Sequence, residues 1–208
     1  RIDFIQEPFI GRTTSAQDKQ TIAAAFRQLH GIPEQSFIVG GCGAGKWRKG
    51  QDLFLQVAML LRRIDPAVPT CFVWLGGEST GRDCDEFRYD VERSGAAAYV
   101  RVLPRVADPS PFYAACDLFC MTSREDPFPL VNLEAAMQGI PIVCFDKSGG
   151  SVELVRDDGG YCVPYLDTLV MAERIQQLAR NESLRRTMGS ILRQRVSPNL
   201  MPENIMPK

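Results

Sequence analysis

The sequence predicts an α/β domain: a Rossmann-like parallel sheet of about six strands with helices on both faces. Two observations carry that prediction. Six short runs rich in β-branched and aromatic residues are bounded by Gly, Pro or Ser. Between several of them lie longer segments whose apolar residues recur at helical spacing. Strands alternating with helices pair in parallel and are covered on both faces.

The elements follow in order. Residues 1–35 form a lead-in segment whose helical pattern is "AQDKQTIAAAFRQLHG" (16–31). The main domain, residues 36–196, opens on the strand "SFIVG" (36–40). In "QDLFLQVAMLLRR" (51–63), Leu53, Phe54, Val57, Leu60 and Leu61 make a 3.6-period stripe, and Arg62 and Arg63 meet the negative helix end. The strands "CFVWLG" (71–76), "YVRVL" (99–103) and "LFCMTS" (118–123) come next. "PLVNLEAAMQG" (129–139) reads as a helix that stops at Gly139. "PIVCF" (141–145) and "GYCVP" (160–164) complete the sheet. "TLVMAERIQQLAR" and "NESLRRTMGSILRQRV" close the domain as two helices, and residues 197–208, with three prolines, form an extended tail. Such sheets bind ligands beyond the carboxyl ends of their strands. The loops of interest are therefore 41–50, 76–82, 104–109, 123–130 and 146–151.

Composition narrows the function. The chain has 208 residues, 45% of them apolar and 24% charged, as in soluble globular domains. A net charge of −1 argues against a general attraction to nucleic acid or anionic membrane, while leaving room for a local basic pocket. No apolar run is long enough to span a bilayer. The start, "RIDFIQEPFIGR", lacks both a signal-peptide layout and a Met, so the chain is expected to begin mid-protein. The seven cysteines are odd in number and contain no C-x-x-C pair, and Cys71, Cys120, Cys144 and Cys162 sit in apolar runs. Free thiols in a reducing, cytoplasmic setting are expected. The single histidine, His30, is read as a helix-end or surface residue, which disfavours zinc hydrolysis and Ser-His-Asp chemistry. No protein metal site or cofactor is expected.

Two stretches carry chemistry. The first is "GGCGAGKWRKG" (40–50). Gly40, Gly45 and Lys46 fit a P-loop, but Trp47 stands where a Ser or Thr must hold magnesium. A dinucleotide turn starting at Gly41 fails because its last position is Lys46. A plain flexible connector remains an alternative. Lys46, Arg48 and Lys49 just before a helix N-terminus suit an anion, a phosphate or diphosphate. The second stretch is "SREDPFPLVNLEAAMQGIPIVCF" (123–145), in which Asp126 and Glu134 are separated by seven residues. Glu134 alone could be a helix-dipole partner. Two carboxylates beside a cationic loop suggest more: carboxylates repel phosphate and bind sugar hydroxyls, while cations and N–H groups bind the phosphates. That combination describes a nucleotide-sugar.

"DPFPLVNLEAAMQGIPIV" resembles the E-x7-E motif of the retaining, GT-B glycosyltransferases of the "group 1" type, with Asp126 in place of the first Glu. "RQLHGIPEQSFIVGG", "KGQDLFLQVAMLL", "FVWLGG", "VRVLPRV", "PFYAACDLFCMTSRED" and "GGSVELVRDDGGYCVP" agree in order, so that the resemblance covers roughly residues 25–195. It implies the C-terminal, donor-binding lobe of a two-domain enzyme that transfers a sugar from a nucleoside diphosphate with retention. The acceptor would be held by an N-terminal half, and peripheral membrane contact remains open for the full protein.

The resemblance assigns Lys49 to the donor diphosphate, Glu134 to the ribose and Asp126 to the transferred sugar. It assigns the N–H groups of Phe128, Leu130 and Val131 to sugar and phosphate, and Leu103, Arg105 and Val106 to the base. An arginine is usual after the first strand; "GCGAGK" has none, and Lys46 or Arg48 would take its place. Pro129 stands where glycine is common. The competing readings are an epimerase or phosphorylase lobe and a non-enzymatic nucleotide-binding module. A receiver-like module fits poorly, since the loop after the first strand carries only cations.

Overall fold

The structure, a computed structural model, describes residues 16–77 and 82–196. The first fifteen residues of the lead-in segment, the tail 197–208 and part of loop 76–82 lie outside the described residues.

Strands β1 (Phe37–Cys42), β2 (Thr70–Gly77), β3 (Val100–Pro104), β4 (Leu118–Met121), β5 (Ile142–Phe145) and β6 (Gly160–Val163) form one sheet in the order β3-β2-β1-β4-β5-β6. Every pairing is parallel. The α/β class and the six strands are as the sequence predicts. Successive strand residues face opposite sides, and two cores result. One gathers Val39, Phe72, Trp74, Cys120, Val143 and Phe145. It lies under α2 (Gln51–Ile64), α3 (Arg82–Arg93) and α7 (Thr168–Arg180). The other gathers Ile38, Val73, Phe119, Ile142 and Cys144. It is covered by α1 (Ala16–Leu29), α4 (Ser110–Ala115), α5 (Leu130–Met137) and α6 (Ser151–Val155). Helix α8 (Glu182–Val196) contributes Met188 to the first core and Leu192 and Val196 to the second.

Two differences from the sequence reading matter. Strand β1 runs on through Gly40 and Gly41 to Cys42, so the expected loop 41–50 is shorter. The reason is packing. Gly40 is pressed against Cys116 and Phe112, and Gly41 against Phe54 and Trp74; neither has room for a Cβ. Both stay in register with β2, opposite Val73 and Trp74. These glycines let the sheet be covered tightly; they do not loosen it. The second difference is helix α3, "RDCDEFRYDVER", which the sequence reading leaves unassigned. Among its described side chains the buried stripe is Phe87 and Val91, four apart, which is too little periodicity to stand out among eight charges. His30 follows α1 as expected, with its ring against Phe26 at 4.4 Å.

Candidate functional site

The sheet order reverses between β1 and β4, where their onward connections leave in opposite directions and a crevice opens at the strand ends. Both loops there are tied together. Loop 43–46 leads into a 310 turn at Trp47–Lys49, and Gly50 then starts α2 in the left-handed region, φ 70°. A Cβ on Gly50 would collide with the carbonyl oxygen of Thr122, just past β4. Glycine therefore permits both the turn and the approach. The Thr122 hydroxyl donates to Gly50 O at 2.9 Å, and Arg124 N donates to Arg48 O at 2.8 Å. The Arg124 guanidinium donates twice to Asp52, at 2.9 and 2.6 Å, and once to Trp47 O at 2.8 Å. It also covers one face of the exposed Trp47 indole, 4.8 Å from the ring centre.

This zipper brings Lys49 to Asp126. Lys49 Nζ donates to Asp126 Oδ2 at 2.5 Å, with both side chains largely shielded from solvent. Arg48 stands farther out, 4.0 Å from Asp126 Oδ1 and 3.4 Å from the Glu125 carbonyl. A third loop braces the carboxylate. Asp126 N donates to Ser148 O at 2.7 Å, Asp126 bridges to Gly149, and Gly150 N donates to Asp126 O at 3.3 Å. Gly149, at φ 122°, lies where a Cβ would strike the Asp126 carbonyl.

Glu134 lies in the second turn of α5 and faces a different neighbour. Tyr113, buried on α4, donates its hydroxyl to Glu134 Oε2 at 2.6 Å. Burial pushes the Glu134 carboxyl above its ordinary value, and the Tyr113 hydrogen bond opposes that shift. Cys42 closes β1. Its thiol is pushed up to about 12, first by burial and second by the Glu134 charge, with Tyr113 and Lys49 close enough to oppose the change. It stays protonated at neutral pH.

The remaining residues singled out from sequence line the rim. Lys46 and Arg105 are exposed, Val106 is 45% exposed, and Leu103 is partly buried at the end of β3. Phe128 and Leu130 present their side chains to solvent, and Val131 is half-buried beside Tyr113, whose hydroxyl reaches the Val131 carbonyl at 3.5 Å. Leu130 opens α5 after Pro129, and Pro129, as the N-cap residue, makes no side-chain capping hydrogen bond. The leading N–H groups of any helix have no intrahelical partner, so this end of α5 offers donors and a positive dipole.

Sequence reasoning missed Tyr113, Thr122, Arg124 and the Ser148–Gly149 brace. Tyr113 is visible only as a tyrosine in "PFYAACD", and its partner is 21 residues away. The place of loop 146–151 after β5 marks it as a loop of interest, but nothing in "DKSGG" names Asp126 as its contact.

Residues 23–195 match the family described as "Glycosyl transferases group 1". A curated relative, the D-inositol 3-phosphate glycosyltransferase of Salinispora arenicola, is 33% identical over 184 residues, covering 85% of this chain and 41% of that protein. The capsular polysaccharide biosynthesis glycosyltransferase CapM of Staphylococcus aureus is 25% identical over 169 residues, 81% of this chain and 43% of that protein. The chain therefore spans about two fifths of the length of these relatives. Among solved structures, Anabaena Alr3699/HepE in complex with UDP and glucose aligns with a TM-score of 0.76 at 26% identity, over 86% of this chain and 48% of that one. The C-terminal domain of a glycosyl transferase group 1 family protein, LpcC, from Francisella tularensis shares the fold, with a TM-score of 0.71 at 23% identity over 88% of this chain and 93% of that one. Among the described residues, no helix is long and apolar enough to cross a membrane.

Proposed function

The chain belongs to the group 1 glycosyl transferases, and on that premise we propose that it is the donor-binding half of an enzyme that transfers a sugar from a nucleoside diphosphate to an acceptor with retention. The observation that supports this most is the meeting of Lys49 and Asp126 at 2.5 Å, with the uncapped start of α5 four residues beyond Asp126. A cation, a carboxylate and a helix N-terminus at one strand-end crevice suit the three parts of a nucleotide-sugar.

In this reading each residue has one task. An ammonium group has three donors. Lys49 uses one on Asp126 and turns the others to the diphosphate, with Lys46 and Arg48 contributing charge from the exposed side. The leaving diphosphate gains negative charge as the glycosidic bond breaks, so Lys49 and the N–H groups of Phe128, Leu130 and Val131 stabilise the transition state more than the bound donor. Asp126 accepts from hydroxyls of the transferred sugar. Glu134 accepts from the ribose, held at its angle by Tyr113. Leu103, Arg105 and Val106 lie against the base. The acceptor is bound by an N-terminal half, and the enzyme works in the cytoplasm with no metal of its own. Retention is checked by the anomeric NMR signals of the product made by the full-length protein.

Binding can be tested on this chain. UDP, which the Anabaena structure holds, is the first probe, followed by UDP-glucose. Lys49→Ala should weaken UDP binding by about 1–3 kcal/mol, the range for a charged hydrogen bond, and leave uridine binding nearly unchanged. The same change strands the shielded Asp126 carboxylate, so stability should fall too. The double variant Lys49→Ala/Asp126→Asn should regain stability in a urea melt without regaining UDP affinity. Equal losses for UDP and uridine in calorimetry would remove Lys49 from the phosphate site.

A further inference from the structure

A second reactive arrangement lies at the far edge of the sheet and has no part in the proposed transfer. Cys144 on β5 and Cys162 on the edge strand β6 are direct register partners. Both side chains point to the same face, into the core of Ile142, Phe119 and Val155. Their sulfurs are 3.7 Å apart. A buried cysteine is ordinarily a small hydrophobe, and Cys71 is an example. Two thiols facing each other in register are a different chemical object.

We propose that Cys144 and Cys162 form a reversible dithiol–disulfide pair whose oxidant is a low-molecular-weight disulfide. Register places the two residues side by side on adjacent strands. Neighbouring strands lie about 4.7–4.9 Å apart, within the roughly 4.4–6.8 Å that a disulfide requires between Cα atoms. The Cα spacing of register partners is therefore no obstacle to closing the sulfurs.

The two thiols have unequal roles. Cys162 is half-buried, on a strand with one free edge, whereas Cys144 is fully buried. The hydrogen bond between the two thiols lowers the Cys162 thiol from its ordinary value. As the more accessible of the two sulfurs, Cys162 is the attacking one. Its thiolate attacks one sulfur of the small disulfide, forms a mixed disulfide and expels one small thiolate, which takes up a proton. Cys144 then loses its proton and attacks the Cys162 sulfur, and the second small thiolate leaves and is protonated. Two protein thiols are oxidised to one disulfide, and one small disulfide is reduced to two thiols. Excess small thiol reverses both steps.

The pair also has a structural address. Cys144 is two residues upstream of Asp146, whose N–H donates to Val163 O at 2.7 Å. The loop that follows supplies Ser148 and Gly149 to Asp126. A bond between Cys144 and Cys162 would tie β5 to β6 where they deliver that loop.

The test uses the folded chain and oxidised glutathione. After incubation, denaturation and alkylation, the free-thiol count should fall from seven to five. The mass should fall by two hydrogens, and proteolytic mapping should link the Cys144 and Cys162 peptides. Reduced glutathione should restore all seven thiols. Cys162→Ser, a near-isosteric change at the half-buried member of the pair, should retain its remaining thiols under the same treatment or stop at a glutathione adduct elsewhere than Cys144. Seven free thiols after oxidation of the wild-type chain, or a link mapped to any other pair, overturns the proposal.

Discussion

Glu134 shows how much a single side chain can owe to a partner distant in sequence. Its carboxyl is raised by burial and held down in part by the hydroxyl of Tyr113. If the ionised form binds ribose, affinity is present above the folded-state value and is lost as pH falls through it. Tyr113→Phe removes the opposing hydrogen bond and raises that value further. The acid limb of UDP affinity should then begin at a higher pH than in the wild type, as calorimetry across a pH series would reveal. Unfolding stability should drop by about 1 kcal/mol, the usual worth of such a bond. An unmoved acid limb would mean that Glu134 does not titrate with binding. The residue types Asp126, Glu134 and Lys49 were legible from spacing and charge. The 2.5 Å contact between Lys49 and Asp126 was not, because 77 residues separate them and nothing local encodes the distance.

At the scale of elements, short loops do the positioning. The 310 turn Trp47–Lys49 and the start of α2 are pulled onto the end of β4 by Thr122 and Arg124. Gly50 is the hinge of that arrangement. Gly50→Ala forces a left-handed non-glycine residue, which costs about 1–3 kcal/mol by backbone conformation alone. It also drives a Cβ into the Thr122 carbonyl. The variant should unfold at lower urea and lose UDP affinity together. A variant with wild-type stability and affinity would show that the two loops can separate without harm. The strands were readable because β-branched runs bounded by Gly, Pro or Ser carry their own signal. Their ends were less so: β1 runs to Cys42 because Gly40 and Gly41 fit between Phe112 and Trp74, a fact of packing. Helix α3 gives a weak signal for the opposite reason: among its described side chains too few are buried to mark its period.

Across the whole molecule, one face of the sheet is secured by an ion pair between distant helices. Asp65, at the end of α2, accepts from Arg180 at 2.6 and 2.9 Å and from Gln176 at 3.0 Å, both on α7. The Arg180 hydrogen bonds, then that of Gln176, hold the Asp65 carboxyl down at about 2. A depressed carboxylate stabilises the fold above its unfolded value of about 3.9, and the contribution is lost as pH falls through about 2. Asp65→Asn should therefore lower Tm at neutral pH, and its Tm should decline less than that of the wild type between pH 4 and pH 2. Parallel Tm curves in that window would assign the acid sensitivity elsewhere. This pairing stands apart from the strand-end crevice, so UDP affinity of the folded variant at neutral pH should be unchanged.

The sequence by itself determined the class of fold, the order of its strands along the chain, the cationic loop and the two carboxylates. These are local properties: periodicity, charge and spacing are complete within a few residues. Tertiary structure alone decided the lateral order β3-β2-β1-β4-β5-β6, and with it which loops share a crevice. It alone placed Lys49 on Asp126, Tyr113 on Glu134 and Cys144 beside Cys162. Each of these contacts joins residues at least 18 positions apart. The distance between such residues depends on how whole strands and helices pack, and no property of either residue alone carries that information.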